Sequence, residues 1–263
     1  MTRVLLAGES WVTTSIHTKG FDSFTTVSYH EGAGALLAAL RAGGHDVGFM
    51  PNHVAATDFP STEEALAAFD VVILSDIGSN TLLLAPVTFA GGQAAPNRLG
   101  LLRDWVAGGG GLAMVGGYLS FQGFEGKANY RCTPLADALP VLLEAGDDRC
   151  ELPESPEPLV VDAGHPLTRG LDERWPAVLG YQRLVPKRGA STPVLVNGDP
   201  LVVTGEHGAG RTLAYATDIG PHWAPDAFVA WPGFGAFWRR AVSWLAGGEA
   251  VDALADEASH AVG

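Results

Sequence analysis

Three short, unbroken apolar runs constrain this chain most: Val4 to Ala7, Val71 to Leu74 and Leu112 to Val115. Each is too short for a buried helix and lacks the alternation of a half-exposed strand. Uninterrupted apolar runs of this length are the mark of parallel strands covered on both faces. Between them lie segments with helical signals. Leu36, Leu37 and Leu40 recur at helical spacing before Gly43-Gly44. Ser61-Thr62-Glu63-Glu64 supplies a capping hydroxyl and early acids. Asn97 stands before Leu99, Leu102, Trp105 and Val106, and Gly108 to Gly111 stop that helix. Asp46 to Met50 reads as a further strand. Strands alternating with helices predict a flavodoxin-like, doubly wound, mostly parallel α/β sheet with helices on both faces.

The rest of the chain departs from that rhythm. Glu9 to Glu31 reads as a long polar loop. Residues 132–193 carry clustered prolines at Pro153, Pro156 and Pro158 with weak helical periodicity, and are expected to be a β-rich insertion or edge strands. Alternation returns in Val194 to Val196, Leu201 to Thr204 and Arg211 to Ala216, with glycine turns between, which predicts a C-terminal meander. Phe234 to Leu245 reads as a closing helix, its aromatic residues belonging to the core or a subunit contact. The expected organisation is one domain over residues 1–247, with 248–263 a flexible or loosely helical tail.

Composition narrows the function classes. The 263 residues carry a formal net charge of −13, and the 16 Lys plus Arg form no basic run. Nucleic acid and anionic membrane surfaces are therefore disfavoured partners. No run approaches the length of a membrane span and the first apolar run is too short for a signal peptide, so the expectation is a cytoplasmic protein. Only 17% of residues are charged, which predicts a homo-oligomer with buried subunit surface. Cys132 and Cys150 are expected to be free thiols. The nucleotide motifs GxGxxG and the P-loop are absent, the ligand-type residues have no metal-motif spacing, and no cofactor or metal is expected.

In doubly wound sheets ligands bind at the carboxyl ends of the strands. That rule selects the loops after Ala7, Leu74 and Val115. It nominates Glu9 and Ser10, then His30 and Glu31 before the first helix, and Asp76 with Gly78 and Asn80. After the third run the sequence reads Gly116-Gly117-Tyr118-Leu119-Ser120-Phe121-Gln122-Gly123. A strand running into paired glycines resembles a nucleophile elbow, a strained strand-to-helix turn that lifts one side chain above the sheet.

Here the chain resembles the class I glutamine amidotransferases. Their elbow places a catalytic cysteine two residues after a glycine, with a glutamine four residues further on. Gly116 matches the glycine, Tyr118 stands at the cysteine and Gln122 at the glutamine, while Gly117 replaces an apolar residue and Ser120 a glycine. In Asp218-Ile219-Gly220-Pro221-His222-Trp223-Ala224, His222 matches the family histidine and Ala224 stands where its glutamate belongs. A phenol with an ordinary pKa near 10 does not replace an activated thiolate. The resemblance thus implies the fold without glutaminase chemistry.

The chain more closely resembles a subfamily of glutamine amidotransferase-like cytoplasmic proteins, through Lys19 to Phe24, Val72 to Gly78, Asn97-Arg98-Leu99, Gly116 to Gly123, Leu179-Gly180-Tyr181 and Pro221-His222-Trp223. More distantly it is similar to ThuA-like proteins. The expected function is binding of a small polar metabolite, such as a sugar, in the strand-end crevice. Tyr118 and His222 are the catalytic candidates, and Glu9, Ser10, His30, Glu31, Asp76, Gly78, Asn80, Gly117, Gln122 and Trp223 the ligand-binding ones. The alternative is a hydrolase or proton-transfer enzyme acting on a sugar-like substrate through Tyr118, His222, Asp76 and Glu9. A third reading is an oligomeric scaffold.

Overall fold

The structure is a computed structural model that describes residues 1–248. Apart from Gly248, the expected tail lies outside the described residues.

The chain enters through β1 (Arg3–Gly8), whose residues from Val4 onward are buried. It then projects from the body, anchored at Ser10, which is buried and bonded to Asn52. β2 (Ser10–Lys19) and β3 (Asp22–Glu31) pair antiparallel over ten residues each, forming an exposed hairpin arm. This corrects the expected polar loop. The segment is rich in Thr and carries Trp11, Val12, Ile16, Phe24, Val27 and Tyr29, β-branched and aromatic residues that favour the pleated backbone. Lys19 pairs with Asp22, so the turn has two residues, and Gly20 takes a φ of +64°.

The βα rhythm follows: α1 (Gly34–Ala42), β4 (Asp46–Met50), α2 (Asn52–Asp58), α3 (Glu63–Leu66) and β5 (Val71–Ser75). Then come α4 (Ser79–Leu83), α5 (Pro86–Phe89), α6 (Arg98–Ala107) and β6 (Gly111–Val115). Local chemistry sets the boundaries. Thr62 Oγ1 accepts from the Ala65 amide, and Asn97 Oδ1 accepts from the Leu99 and Gly100 amides, at the first turns of α3 and α6. Arg98 is buried inside that corner. Its guanidinium donates to the carbonyls of Leu82, Ala55, Ala56 and Thr81 and knits three helices together.

Residues 132–193 carry a 3-10 turn at Pro134–Asp137 and the short strands β7 (Val141–Leu142), β8 (Arg149–Glu151), β9 (Leu159–Val160), β10 (Gly180–Gln182) and β11 (Val185–Pro186). β10 pairs with β8 and β11 with β7 as separate small ribbons. The meander β12 (Ser191–Val196), β13 (Asp199–His207) and β14 (Gly210–Tyr215) then completes the sheet, followed by α7 (Asp226–Val229) and α8 (Pro232–Leu245).

The central sheet has eight strands in the order β4-β1-β5-β6-β14-β13-β12-β9. β4, β1, β5, β6 and β14 run parallel, while β13, β12 and β9 join antiparallel. α1 packs against α8 in one layer, and α2, α4 and α6 pack together in the other. The sheet interior is apolar throughout β5 and β6, with Val71 to Leu74 and Leu112 to Val115 at most 1% exposed. Each such side chain contributes about 1.5–3 kcal/mol of burial free energy. Phe237 and Trp238 of α8 pack on Tyr215 of β14, so these aromatics are core residues. Cys132 and Cys150 are free.

Candidate functional site

The carboxyl ends of β1, β5, β6 and β14 converge on one cavity of about 460 Å³. Its lining includes Glu9, Asp76 and Asp218 at the base, with Trp11, Tyr118, Phe124 and His222 around them. Each carboxyl residue follows a buried parallel strand, so sheet order places three acids side by side.

Two of the three hold backbone conformations that L-residues rarely adopt. Glu9 has a φ of +49° and Asp76 one of +44°. The strain expected of an elbow therefore sits at the ends of β1 and β5. At the β6 turn the positive φ belongs to Gly117 (+138°), where a Cβ would stand 2.9 Å from the Asp76 side chain. No α-helix follows this turn, in contrast to the expected strand-to-helix elbow. The 118–123 loop is pinned from outside: Asp148 accepts from the amides of Gln122 at 3.0 Å and Gly123 at 2.8 Å. Burial pushes the Asp148 carboxyl up to about 6 despite those donors.

The base is electrostatically crowded. Burial, and then the charges of Asp218 and Asp76, drive the Glu9 carboxyl well above the ordinary range, against the Ser75 hydroxyl that donates to it. Asp76 is raised by burial although the Leu119 amide donates to its Oδ1 at 2.6 Å. Asp218 is pushed up to about 7, first by burial and then by Asp76, against donation from the Ile219 and Gly220 amides. Neighbouring acids in a site of low dielectric cannot all ionise. The crowding therefore favours the protonated form of each acid, and a protonated carboxyl donates as well as accepts hydrogen bonds. Among the described residues no group of three His, Cys, Asp or Glu side chains is arranged to hold a metal ion.

The rim is built around Tyr118. Its hydroxyl donates to Glu151 Oε1 at 3.0 Å and lies 3.3 Å from His222 Nε2. Burial, followed by the Glu151 hydrogen bond, raises the phenol further from neutrality. The Arg149 guanidinium lies over the Tyr118 and Phe124 rings at 4.8 and 4.1 Å from their centroids, a cation–π wall. Glu151 Oε2 accepts from the buried Trp223 indole at 2.9 Å and lies 3.5 Å from His222 Nε2. A carboxylate thus stands beside the histidine despite Ala224, but it approaches the nitrogen that also faces Tyr118. A triad needs the acid at Nδ1 and the nucleophile at Nε2. This arrangement is a cross-link, not a relay.

Of the residues nominated from the sequence, Tyr118, His222, Glu9 and Asp76 line the cavity. Gly117 underlies it against Asp76. Trp223 is buried behind the rim and holds Glu151. The others do not line it. Ser10 Oγ accepts from the Asn52 amide and anchors the arm to α2. His30 stacks on Trp11 within the arm, and Glu31 accepts from Tyr29 at 2.7 Å. Gly78 starts α4, and Asn80 is exposed on that helix. Gln122 is buried, where its Oε1 accepts from the Arg131 amide and holds the loop, because Phe121 turns the chain at a φ of +51°. Asp218, Trp11, Phe124, Arg149 and Glu151 were not nominated. Asp218 had a readable signal, since it closely follows the last parallel strand. Glu151 had none, because it arrives from the irregular insertion.

Solved structures with the same fold include two from Salmonella typhimurium. Cytoplasmic Protein STM3548 is 43% identical over 93% of this chain and 99% of its own, with a TM-score of 0.90. Cytoplasmic Protein STM1381 from strain LT2 is 45% identical over 92% of this chain and 99% of its own, with a TM-score of 0.89. A structure described as a "Putative thua-like protein" from Parabacteroides merdae shares the fold at 14% identity and a TM-score of 0.51, covering 95% of this chain and 92% of its own. No curated protein matches the chain. Residues 3–247 match the family described as "Putative glutamine amidotransferase" (GATase1_like), and the chain belongs to that family.

Proposed function

We propose that this protein is a non-glutaminase member of its family that binds a small, hydroxyl-rich, carbohydrate-like metabolite in the strand-end cavity. The observation that carries this reading is the base of three carboxyl groups beneath an aromatic rim, Glu9 and Asp218 buried and Asp76 half-buried. Glu9, Asp76 and Asp218 are all raised, the last to about 7. Neutral carboxylic acids pair with hydroxyls as both donors and acceptors. Trp11, Tyr118 and Phe124 offer apolar faces to the carbon skeleton of such a ligand. Glutamine hydrolysis is disfavoured because a phenol occupies the nucleophile position and neither cysteine lines the cavity. Relatives described as cytoplasmic support a cytoplasmic setting for this role.

The test is a thermal-shift screen of the full chain against monosaccharides, polyols and their acids, with glutamine as comparator. A ligand at 100 times its Kd stabilises by about 2.7 kcal/mol, which moves the midpoint of a chain of this size by several degrees. A shift with a polyhydroxy ligand that Asp218→Asn abolishes is expected. Stabilisation by glutamine alone would sink the reading.

One observation favours a second reading, proton transfer or hydrolysis on the same ligand. Asp218, in the cavity base, is pushed up to about 7 and is poised to exchange a proton near neutrality. It requires turnover that His222→Ala removes while ligand-induced stabilisation survives.

A further inference from the structure

The hairpin arm is the one large element whose packing is unexplained within a single chain. Its register places Val12 opposite Tyr29, Thr14 opposite Val27, Ile16 opposite Thr25 and Thr18 opposite Ser23. Side chains alternate along a strand, so these four pairs share one face. These four pairs carry no charge, Glu31 opposite Ser10 adding one carboxylate to the face only at the arm's base, and their apolar members are open to solvent: Val12 61%, Ile16 73%, Val27 66% and Tyr29 46% exposed. The opposite face is largely satisfied within the arm, where Trp11 stacks on His30 and His17 on Phe24. A two-stranded ribbon without a covering layer is marginal in water, and both its edges are open.

We propose that this arm is a dimerisation element, its exposed Val12, Ile16 and Val27 face covered by a second copy of the chain in a reciprocal two-fold exchange. Three observations select a second copy over another occupant. The first is area. A ribbon face about 30 Å long and 10 Å wide, with its side chains, presents roughly 400 Å². One arm on an unrelated partner buries two such surfaces, about 800 Å², which is below the roughly 1,200–2,000 Å² of a stable interface. Reciprocal exchange buries four and falls inside that range.

The second is charge. A chain of net charge −13 is repelled by nucleic acid and by anionic bilayers, and this face, whose one charged residue is Glu31, offers neither of them a cation. The third is self-complementarity, which an isologous interface requires. The connection after β5 carries an exposed apolar patch of Leu84, Val87 and Phe89, Phe89 being 78% exposed. It leaves the sheet at the same carboxyl end as the arm, so one chain carries both an apolar arm and an apolar surface to receive one.

The experiment is sedimentation of the full chain at tens of micromolar. The wild type is expected at about twice 27.4 kDa. The double variant Ile16→Asp/Val27→Asp is expected near the monomer mass, with its dimer dissociation constant raised roughly 100-fold or more by the buried charges. Thr14→Lys/Thr25→Lys places charges on the same face at positions that are already polar and exposed, so it decides the matter if the first variant misfolds. Far-UV circular dichroism reports whether each variant is folded. A monomeric wild type would overturn the proposal, and so would folded arm variants that keep the dimer mass.

Discussion

Glu151 and Tyr118 approach His222 through the same imidazole nitrogen, at 3.5 and 3.3 Å. The acid is present but stands on the wrong side of the ring to orient a base. Restoring the family's thiol should therefore not restore its chemistry. Tyr118→Cys is expected to release no ammonia from glutamine above background in a coupled assay. Measurable glutaminase turnover would show that His222 works without an acid at Nδ1.

The same carboxylate holds the Trp223 indole in a position with no solvent access. Glu151→Ala leaves that N–H unpaired, which costs about 1–3 kcal/mol. The expected result is a lower thermal midpoint together with altered Trp near-UV dichroism. Glu151→Gln keeps an acceptor for the indole and is expected to recover most of the midpoint.

Stability should fall as pH rises towards neutrality. The folded pKa of Asp218 lies near 7 against an ordinary value near 4, and Glu9 and Asp76 are raised in the same direction. Between those limits the folded state binds more protons than the unfolded state. The stabilisation from protonated Asp218 is therefore complete below about pH 4 and is lost as pH rises through about 7, and Glu9 and Asp76 act in the same direction. Asp218→Asn preserves the carbonyl oxygen that accepts the Ile219 and Gly220 amides but cannot ionise. It is expected to raise the midpoint at pH 8 by a few degrees and to flatten the pH profile between 5 and 8. A variant less stable than wild type at pH 8 would contradict this account.

Arg98 makes a prediction about the scaffold. Its side chain is 3% exposed and serves carbonyls on both sides of α6's start. Arg98→Ala strands several buried acceptors and is expected to lose about 3–5 kcal/mol in urea unfolding. Arg98→Lys should recover only part, because an ammonium cannot match the planar fork.

The parts of the fold that were legible share one property: local sequence and tertiary environment make the same demand. Val71 to Leu74 is apolar because both sheet faces are covered, and Asn97 precedes α6 because free amides need an acceptor there. The arm is not legible as strands because its Thr-rich sequence is polar on average and resembles a loop, although Val12, Ile16 and Val27 fall on one face. In the cavity, Glu9, Asp76, Tyr118 and His222 could be nominated because each lies at a strand end or a family motif. Gln122 was misjudged because motif position does not say which way a side chain turns after Phe121.

The sequence alone determined the parallel core, the loss of the thiol at position 118 and the carboxyl-end location of the crevice, since each follows from residue type and local order. Only the tertiary structure decided that Asp218 joins Glu9 and Asp76, that Glu151 reaches Tyr118 from the insertion, and that residues 10–31 form a hairpin projecting from the body. Those facts depend on strand order and on contacts between residues far apart in the chain, and the proton affinity of each acid depends on which other acids the fold sets beside it.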